Sequence, residues 1–169
     1  MPNVSRRGML KSAGALVGAT GLAVAPATAA RAAAARPAGP ATLVLHASAL
    51  RLLGVKARKP GDAITARGLV STTEGAEPRG ELFITGTRMA AESLLLPSLA
   101  AVENHLFVLP EGTLTGTGTV DHDGHGTFTV TGGSGAYAGA HGTYSTRQSA
   151  DHSGSGTAVV TLVLHSSAR

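Results

Sequence analysis

The stretch GTFTVTGGSGAYAGAHGTY, from Gly126 to Tyr144, decides the fold of this chain because it fits two different structures. A glycine-rich turn between a strand and a helix would bind the phosphates of a dinucleotide. The segment that follows, AHGTYSTRQSADHSGSG, is rich in Gly, Ser and Thr and lacks helical apolar spacing. We therefore predict a corner between two strands, in which several glycines adopt positive φ.

Short segments of alternating apolar and polar residues flank this corner on both sides. TLTGTGTV (113–120) places its threonines on one face, and TFTVT (127–131) sets Phe128 and Val130 opposite three threonines. In TLVLHASALRL (42–52) the alternation predicts one shared face. Its members are Leu43, Leu45, Ala47 and Ala49.

Turn signals separate about eight such segments, which is typical of an antiparallel sandwich or barrel. The signals are KPGD (59–62), EGAEPRG (74–80), PEG (110–112) and DHDGHG (121–126). The segment ESLLLPSLA (92–100) is ambiguous between helix and strand. Glycines within strands, at Gly86, Gly116 and Gly118, suit places where a barrel strand bends sharply.

The beginning of the chain has the layout of a secretory signal peptide. Arg6, Arg7 and Lys11 precede an uncharged Gly/Ala-rich run (13–25), and ATA at 27–29 offers a cleavage site. The order S-R-R-x-M-L-K looks like a twin-arginine signal. The apolar run is shorter than the roughly 20 residues that span a membrane. We therefore predict secretion through the twin-arginine route, without stable membrane insertion after cleavage.

Composition argues against two classes of partner or site. The chain has 14 basic and 10 acidic residues, a net charge of +4, and losing the three basic signal residues reduces this to +1. A nucleic-acid partner is not expected, because it would require a basic stripe and stacking aromatics, and only 3 Phe and 2 Tyr are present. The absence of cysteine excludes disulfides and thiolate metal sites.

The glycine-rich corner resembles the signature of the allene oxide cyclase and dirigent barrel superfamily. There a strand leads into G-G-[ST]-G-x-[FY]-x-x-A-[RH]-G, and the likeness extends over Thr42 to His165 as a pattern of strands. The matching positions are Phe128, Val130, Gly132, Gly133, Ser134, Gly135, Tyr137, Ala140 and Gly142. His141 stands where dirigent members usually carry arginine. No residue matches the plant catalytic acids, so no catalytic role is transferred.

The resemblance implies an all-β fold, an eight-stranded antiparallel β-barrel with an apolar lumen. Plant members steer the cyclisation of a fatty-acid epoxide or the coupling of phenoxy radicals, and they suggest a homotrimer. A barrel of this size holds one small ligand. The expected organisation is a signal peptide (1–29), an Ala/Pro-rich linker (30–41), the barrel (42–165) and a tail (166–169).

We expect the barrel to bind a small apolar or aromatic molecule in its lumen and to steer cyclisation or coupling of a reactive intermediate without a cofactor. The alternative is a non-catalytic exported carrier, or a surface or matrix protein. Whether the protein is an enzyme stays open; if it is, its activity is isomerase-like, cyclase-like or dirigent-like. An enzyme should bring ionisable groups together on an enclosed cavity, whereas a structural barrel should have its lumen filled by side chains.

The candidate ligand-binding residues centre on Glu103 and His105, which share one face of a strand. In an apolar pocket they would form an acid–base or ligand-orienting pair. The orientation of this strand stays open, because Leu106 and Val108 make the opposite face apolar too. The remaining candidates are His46, Arg88, His141 and Tyr144, whereas Tyr137 is expected to plug the corner.

DHDGH (121–125) concentrates possible metal ligands within five residues. Asp and His bind zinc or calcium-type ions, but the spacing fits neither H-E-x-x-H nor an EF-hand. Asp-Gly is a common turn dipeptide. We therefore predict a hairpin tip and assign no metal ligand, and metal capture by the histidines is the weakest of the three functional hypotheses.

Overall fold

The computed structural model describes residues 40–54, 59–89 and 99–166. The predicted signal peptide (1–29) lies outside these residues, as does the linker (30–41) apart from its last two positions. The same holds for most of the ambiguous segment 92–100. The boundaries predicted for these parts therefore stay predictions. Within the described residues, no helix is long and apolar enough to cross a membrane.

Eight antiparallel strands form one closed barrel, as the sequence predicts. Each strand pairs with the next along the chain, and the last pairs with the first. The strands are β1 (Ala41–Leu52), β2 (Ala63–Ser71), β3 (Gly80–Arg88), β4 (Leu99–Leu109), β5 (Gly112–Asp121), β6 (His125–Gly133), β7 (Ala140–Ser149) and β8 (Gly156–Ser166). Closure leaves no unpaired sheet edge.

Alternation along the strands builds the core, since successive side chains point to opposite faces. Phe128 and Val130 of β6 are buried, and the intervening threonines are exposed, as predicted. The threonines of β5 likewise alternate with buried Leu114 and Val120. On β4 the structure settles the open orientation: Glu103 and His105 point inward, whereas Leu106 and Val108 point outward.

The shared face predicted for β1 is correct for its first part and wrong at Ala49. Leu45 and Ala47 are buried, but Ala49 is exposed and Leu50 takes the next inward position. The pairing of β1 with both neighbours shifts here, and Ala49 has a φ of 51°. An extra residue at such a β-bulge reverses the alternation that follows it.

The strand glycines make room for aromatic rings. A Cβ on Gly116 would lie 2.4 Å from the ring and hydroxyl of Tyr144, and one on Gly118 would lie 2.7 Å from the Phe128 ring. The sequence prediction attributed these glycines to strand bending. The structure adds a steric reason, because any larger side chain on this wall of the lumen would displace the rings.

The glycine-rich stretch forms the corner between β6 and β7, as predicted. A single turn of 3-10 helix, Gly135–Tyr137, joins the strands, and Tyr137 is buried in the barrel core. Positive φ occurs at Gly135 (60°) and Gly139 (72°). No helix long enough to carry a phosphate-binding N-terminus follows among the residues described here, so the corner is not a nucleotide loop.

The barrel has two ends, which we call the mouth and the corner end. The mouth carries the β1–β2, β3–β4, β5–β6 and β7–β8 connections. The corner end carries the β2–β3, β4–β5 and β6–β7 connections, including the Tyr137 turn. The predicted turns KPGD and DHDGHG both lie at the mouth, where Gly61 and Gly124 have positive φ.

Candidate functional site

A cup of about 410 Å³ opens at the mouth of the barrel. Its wall is mixed, with apolar side chains from several strands and polar side chains from the loops. The apolar members are Leu52, Leu53, Ala63, Ile64, Ala100, Ala101, Val120 and Ala150. The charged or titratable members are Arg88, Glu103, Asp121, His122, Asp123 and His152. This volume is within the roughly 300–1,000 Å³ of small-molecule sites.

Glu103 is the lining residue of β4 that lies furthest from the mouth, and only 4% of it is exposed. Its Oε2 accepts a hydrogen bond of 2.8 Å from the Gln148 side-chain amide. The same oxygen is 3.1 Å from Nε2 of His105. These two contacts fix the carboxylate at the base of the cup, and neither of them uses Oε1.

The lumen beyond Glu103 is filled by four rings. His105 lies 4.2 Å from Phe128 between ring centroids, and Phe128 stacks on Tyr144 at 4.8 Å with an angle of 8°. Phe107 meets both His105 and Tyr144 edge to face. All four residues are almost fully buried. The space for a ligand is therefore at the mouth and not in the centre of the barrel.

Several buried polar atoms in and beneath the cup have no hydrogen-bond partner. Within the described residues, four buried side-chain atoms have no hydrogen-bond partner: Nδ1 of His105, the Tyr144 hydroxyl, Oγ1 of Thr146 and Oε1 of Gln148. Tyr144, Thr146 and Gln148 occupy successive inward positions of β7. Unsatisfied buried groups are rare in native proteins, and ligands or ordered water commonly satisfy them.

The Tyr144 hydroxyl is held in its neutral form. Burial raises the pKa of Tyr144 far above its ordinary value, and the negative charge of Glu103 raises it further. The neutral phenol can donate a hydrogen bond throughout the physiological pH range. Tyr144 lies in the packed interior and does not line the cup.

Aspartates fix the rim of the cup. Asp121 Oδ1 accepts hydrogen bonds from the backbone N–H groups of Asp123 (2.9 Å) and His125 (2.8 Å). Asp151 accepts from the backbone of Gly154 (2.7 Å), and bonds from the hydroxyls of Ser155 and then Ser153 hold its pKa well below the usual range. The rim is therefore ordered by local hydrogen bonds, as is common for Asx turns.

The structure separates the six predicted ligand-binding residues into three groups. Glu103 and Arg88 both line the cup. His105 and Tyr144 lie beneath it, where His105 contacts Glu103. His46 and His141 lie on the outer face of the barrel, because each alternates with buried inward residues. Whether any of the six binds a ligand stays a prediction.

Sequence reasoning missed several members of the site. Gln148 bonds to Glu103 across 45 positions of sequence, so no local pattern links the two. The sequence identifies Phe128 as a strand residue and a motif position, but not as a neighbour of His105. His122 and His152 are exposed loop residues that also border the cup. Each directly follows an aspartate in a connection between two strands, which is the one signal that places them at a rim.

The DHDGH turn forms the predicted hairpin tip between β5 and β6. In the described part of the chain, no three His, Cys, Asp or Glu side chains come together as a group that could hold a metal ion. Asp121, which would be a metal ligand in that turn, instead accepts bonds from the turn's own backbone.

Comparison with known proteins shows likeness at the level of the fold. No family model matches the chain, and no curated protein matches it. A solved structure described as pyocyanin demethylase is 18% identical, covers 72% of this chain and 99% of its own, and has a TM-score of 0.52. The pterocarpan synthase dirigent protein GePTS1 is 13% identical, with 75% and 87% covered and a TM-score of 0.51.

A third similar structure is the Diels Alderase AbmU from Streptomyces koyangensis. It is 21% identical, with 81% of this chain and 72% of that chain covered, and its TM-score is 0.54. At these identities the likeness concerns the fold. The closed eight-stranded barrel and its likeness to a dirigent protein confirm the predicted allene oxide cyclase/dirigent-like fold.

Proposed function

We propose that this barrel binds one small apolar or aromatic molecule in the cup at its mouth, with Glu103 holding the polar group of that molecule. The observation that carries the proposal is the buried Glu103 carboxylate, held at the base of an open cup by Gln148 and His105. Burying a carboxylate is costly unless it is paired and hydrogen-bonded, and a hydrogen-bond donor on a ligand in the open cup would offset part of this cost.

The charge around Glu103 supports a ligand contact. Among the described residues, no lysine or arginine is paired with this carboxylate, whose contacts are the Gln148 amide and the His105 ring. Buried charges are normally paired or fully hydrogen-bonded. A hydrogen-bond donor on the ligand, such as a hydroxyl or an N–H, would complete the environment of Oε1.

The same arrangement suits a proton-transfer step. A positioned carboxylate that takes a proton from a bound hydroxyl or acidic C–H contributes about 10² to 10⁴ in rate. His105 is fully enclosed and would act through Glu103, as a positioning residue. The reaction we propose is cofactor-free steering of cyclisation or coupling. The similar structures bear the names of a dirigent protein, a Diels Alderase and a demethylase, which is compatible with chemistry on a small organic molecule.

A non-catalytic exported carrier, or a surface or matrix protein, is the second candidate. The observation that favours it is the filled centre of the lumen, where the rings of Phe128 and Tyr144 stack on each other. A carrier would bind its ligand in the same cup and release it unchanged. Product analysis after incubation separates the two candidates.

Two hollows of similar volume allow a matched test of ligand binding. Ala150 is half-buried, packs against the core and lines the cup, whereas Ala76 lines a hollow of about 380 Å³ at the corner end. The neutral aromatic amine N-phenyl-1-naphthylamine is a suitable fluorescent probe, and native mass spectrometry detects any molecule that co-purifies. Ala150→Trp should abolish probe binding and remove the co-purifying molecule, whereas Ala76→Trp should change neither. Equal binding by wild type and Ala150→Trp would refute the proposed site.

The proposal also covers secretion of the chain and its oligomeric state. We infer that the chain is secreted through the twin-arginine route and acts as a homo-oligomer, a trimer by family resemblance, without nucleic acid or membrane as a partner. Changing Arg6 and Arg7 together to lysine should retain the precursor in the cell. Precursor that is still cleaved and secreted would contradict the route, and light scattering of the secreted protein gives its oligomeric state.

A further inference from the structure

Outside the cup, two histidines face each other on the outer surface of the barrel. His141 of β7 and His165 of β8 are directly opposite in the strand register. Their rings stack with centroids 5.6 Å apart and an angle of 25° between planes. Both side chains are exposed. They lie toward the corner end, far along β7 and β8 from the residues of the cup.

We infer that His141 and His165 form a two-imidazole site for a divalent transition-metal ion, with Cu²⁺ bound most tightly and Ni²⁺ and Zn²⁺ less tightly. Imidazole nitrogen is a preferred ligand of all three ions, and for simple nitrogen sites Cu²⁺ is the strongest binder. Water would occupy the remaining coordination positions, because both rings face solvent.

The ring separation is close to the value that shared coordination requires. Two imidazoles bound at about 2.0–2.1 Å to one ion, at roughly 90–110° to each other, place their centroids about 4.5–5.2 Å apart. The observed 5.6 Å is slightly longer, so metal binding requires the two exposed side chains to rotate toward each other. The strands keep the two Cα atoms fixed, so binding of the first nitrogen holds the second nearby and raises its effective concentration.

A backbone contact favours the correct tautomer of His141. Its Nδ1 lies 3.5 Å from the carbonyl oxygen of Gly139, so an Nδ1–H would point at this acceptor. Metal-binding histidines commonly donate one ring N–H to a carbonyl while the other nitrogen binds the ion. The next outward-facing pair on β7 and β8 is Thr143 with Val163. Both are uncharged, so this pair places no lysine or arginine beside the histidines to repel a cation.

The His141–His165 pair differs from the DHDGH turn (121–125) in how its possible ligands are arranged. In DHDGH the Asp121 carboxylate is occupied by backbone N–H groups, and His122 and His125 lie at the hairpin tip. The register of β7 and β8 brings together two histidines that are 24 positions apart, which no spacing pattern in the sequence reveals.

Calorimetric titration of the untagged protein with CuCl₂ or NiCl₂ at neutral pH tests the inference. Wild type should bind one ion per chain, with Cu²⁺ tighter than Ni²⁺. His141→Gln and His165→Gln should each weaken binding at least about ten-fold, because either change leaves a single imidazole. The control is the double change His122→Gln with His125→Gln, which should leave this affinity unaltered.

Electron paramagnetic resonance of the Cu²⁺ complex supplies a second measurement. Wild type and the control should show two nitrogen donors, and each single variant one. The inference fails if the control loses the ion, or if the single variants lose no more affinity than the control does. Far-UV circular dichroism confirms that each variant is folded, which is expected because both side chains are exposed.

Discussion

The two ends of the barrel bury different kinds of side chain. At the corner end the side chain of Tyr137 packs in the buried core. At the mouth the deepest β4 residue of the cup is Glu103, which carries a carboxylate. The charged side chains at the corner end, among them Glu77, Arg79 and Glu111, are exposed to water. Apolar burial stabilises a fold, whereas a buried carboxylate costs stability unless it is compensated. We therefore expect changes at the corner end to act mainly on stability, and changes at the mouth to act mainly on the proposed ligand binding.

Removing the buried side chain of Tyr137 at the corner end should lower stability strongly. Tyr137→Ala should lower the free energy of unfolding by about 3 kcal/mol or more, because a buried aromatic side chain leaves a cavity. Urea denaturation followed by circular dichroism measures this loss. Probe binding at the mouth should persist in buffer without urea, and Tyr137→Phe should lose much less. A loss of probe binding without a loss of stability would reverse the roles assigned to the two ends.

Two glycines with similar backbone conformations sharpen the comparison. Gly124 at the mouth has a φ of 80° and Gly139 at the corner end a φ of 72°. A Cβ at Gly124 would lie 2.0 Å from the carbonyl oxygen of Gln148, whereas one at Gly139 meets nothing within 4 Å. Gly139→Ala should cost about 1–2 kcal/mol from backbone strain, and Gly124→Ala roughly 1–3 kcal/mol more from the steric clash.

Gly124→Ala should also weaken probe binding, because Gln148 holds Glu103. Gly139→Ala should leave probe binding unchanged. Thermal or urea unfolding and the probe titration together give both quantities for both variants. Equal losses in the free energy of unfolding for the two variants would show that the Gln148 carbonyl leaves room for a Cβ at position 124.

The stability of the protein at alkaline pH tests whether Tyr144 is buried in the packed interior between the two ends. The pKa of Tyr144 is raised in the folded protein, whereas in the unfolded chain it is near 10. Below about pH 10 the phenol is protonated in both states, and the free energy of unfolding does not depend on its ionisation. Above that pH the free energy of unfolding falls by up to about 1.4 kcal/mol per pH unit, because only the unfolded chain releases the proton.

The absorbance of tyrosinate against pH measures this effect in Tyr137→Phe, where Tyr144 is the remaining tyrosine. Phenolate should appear only together with unfolding detected by circular dichroism. Tyr144→Phe serves as the control and should be less sensitive to alkaline pH. Ionisation of Tyr144 near pH 10 in a protein that stays folded would show that this side chain is hydrated.

The sequence was most informative where one face of a strand differs clearly from the other. Phe128 and Val130 alternate with threonines, and the glycines of the β6–β7 corner have few alternatives to a turn. On β4 both faces are apolar, so only closure of the barrel decides that Phe107 is buried and Leu106 exposed. The bulge at Ala49 likewise has no local signature, because it arises from pairing with two neighbouring strands.

The site was predictable in part for the same reason. The pairing of Glu103 and His105 is predictable because alternation places both on one face of β4. Their third partner, Gln148, comes from β7 and depends on the curvature of the whole barrel. His141 is a candidate only through its motif position. Its outward orientation follows from alternation with the inward residues Ala140 and Tyr144 of the same strand.

The central claim is that the carboxylate of Glu103 binds the ligand's polar group, and a fluorescence titration with N-phenyl-1-naphthylamine tests it most directly. The variants are Glu103→Gln at the mouth and Glu111→Gln at the corner end, which differ from wild type by the same change of chemical group. Glu103→Gln should weaken probe binding about ten-fold, because a charged hydrogen bond to the probe's N–H is lost. Glu111→Gln should match wild type. Equal affinities for wild type, Glu103→Gln and Glu111→Gln would contradict the claim.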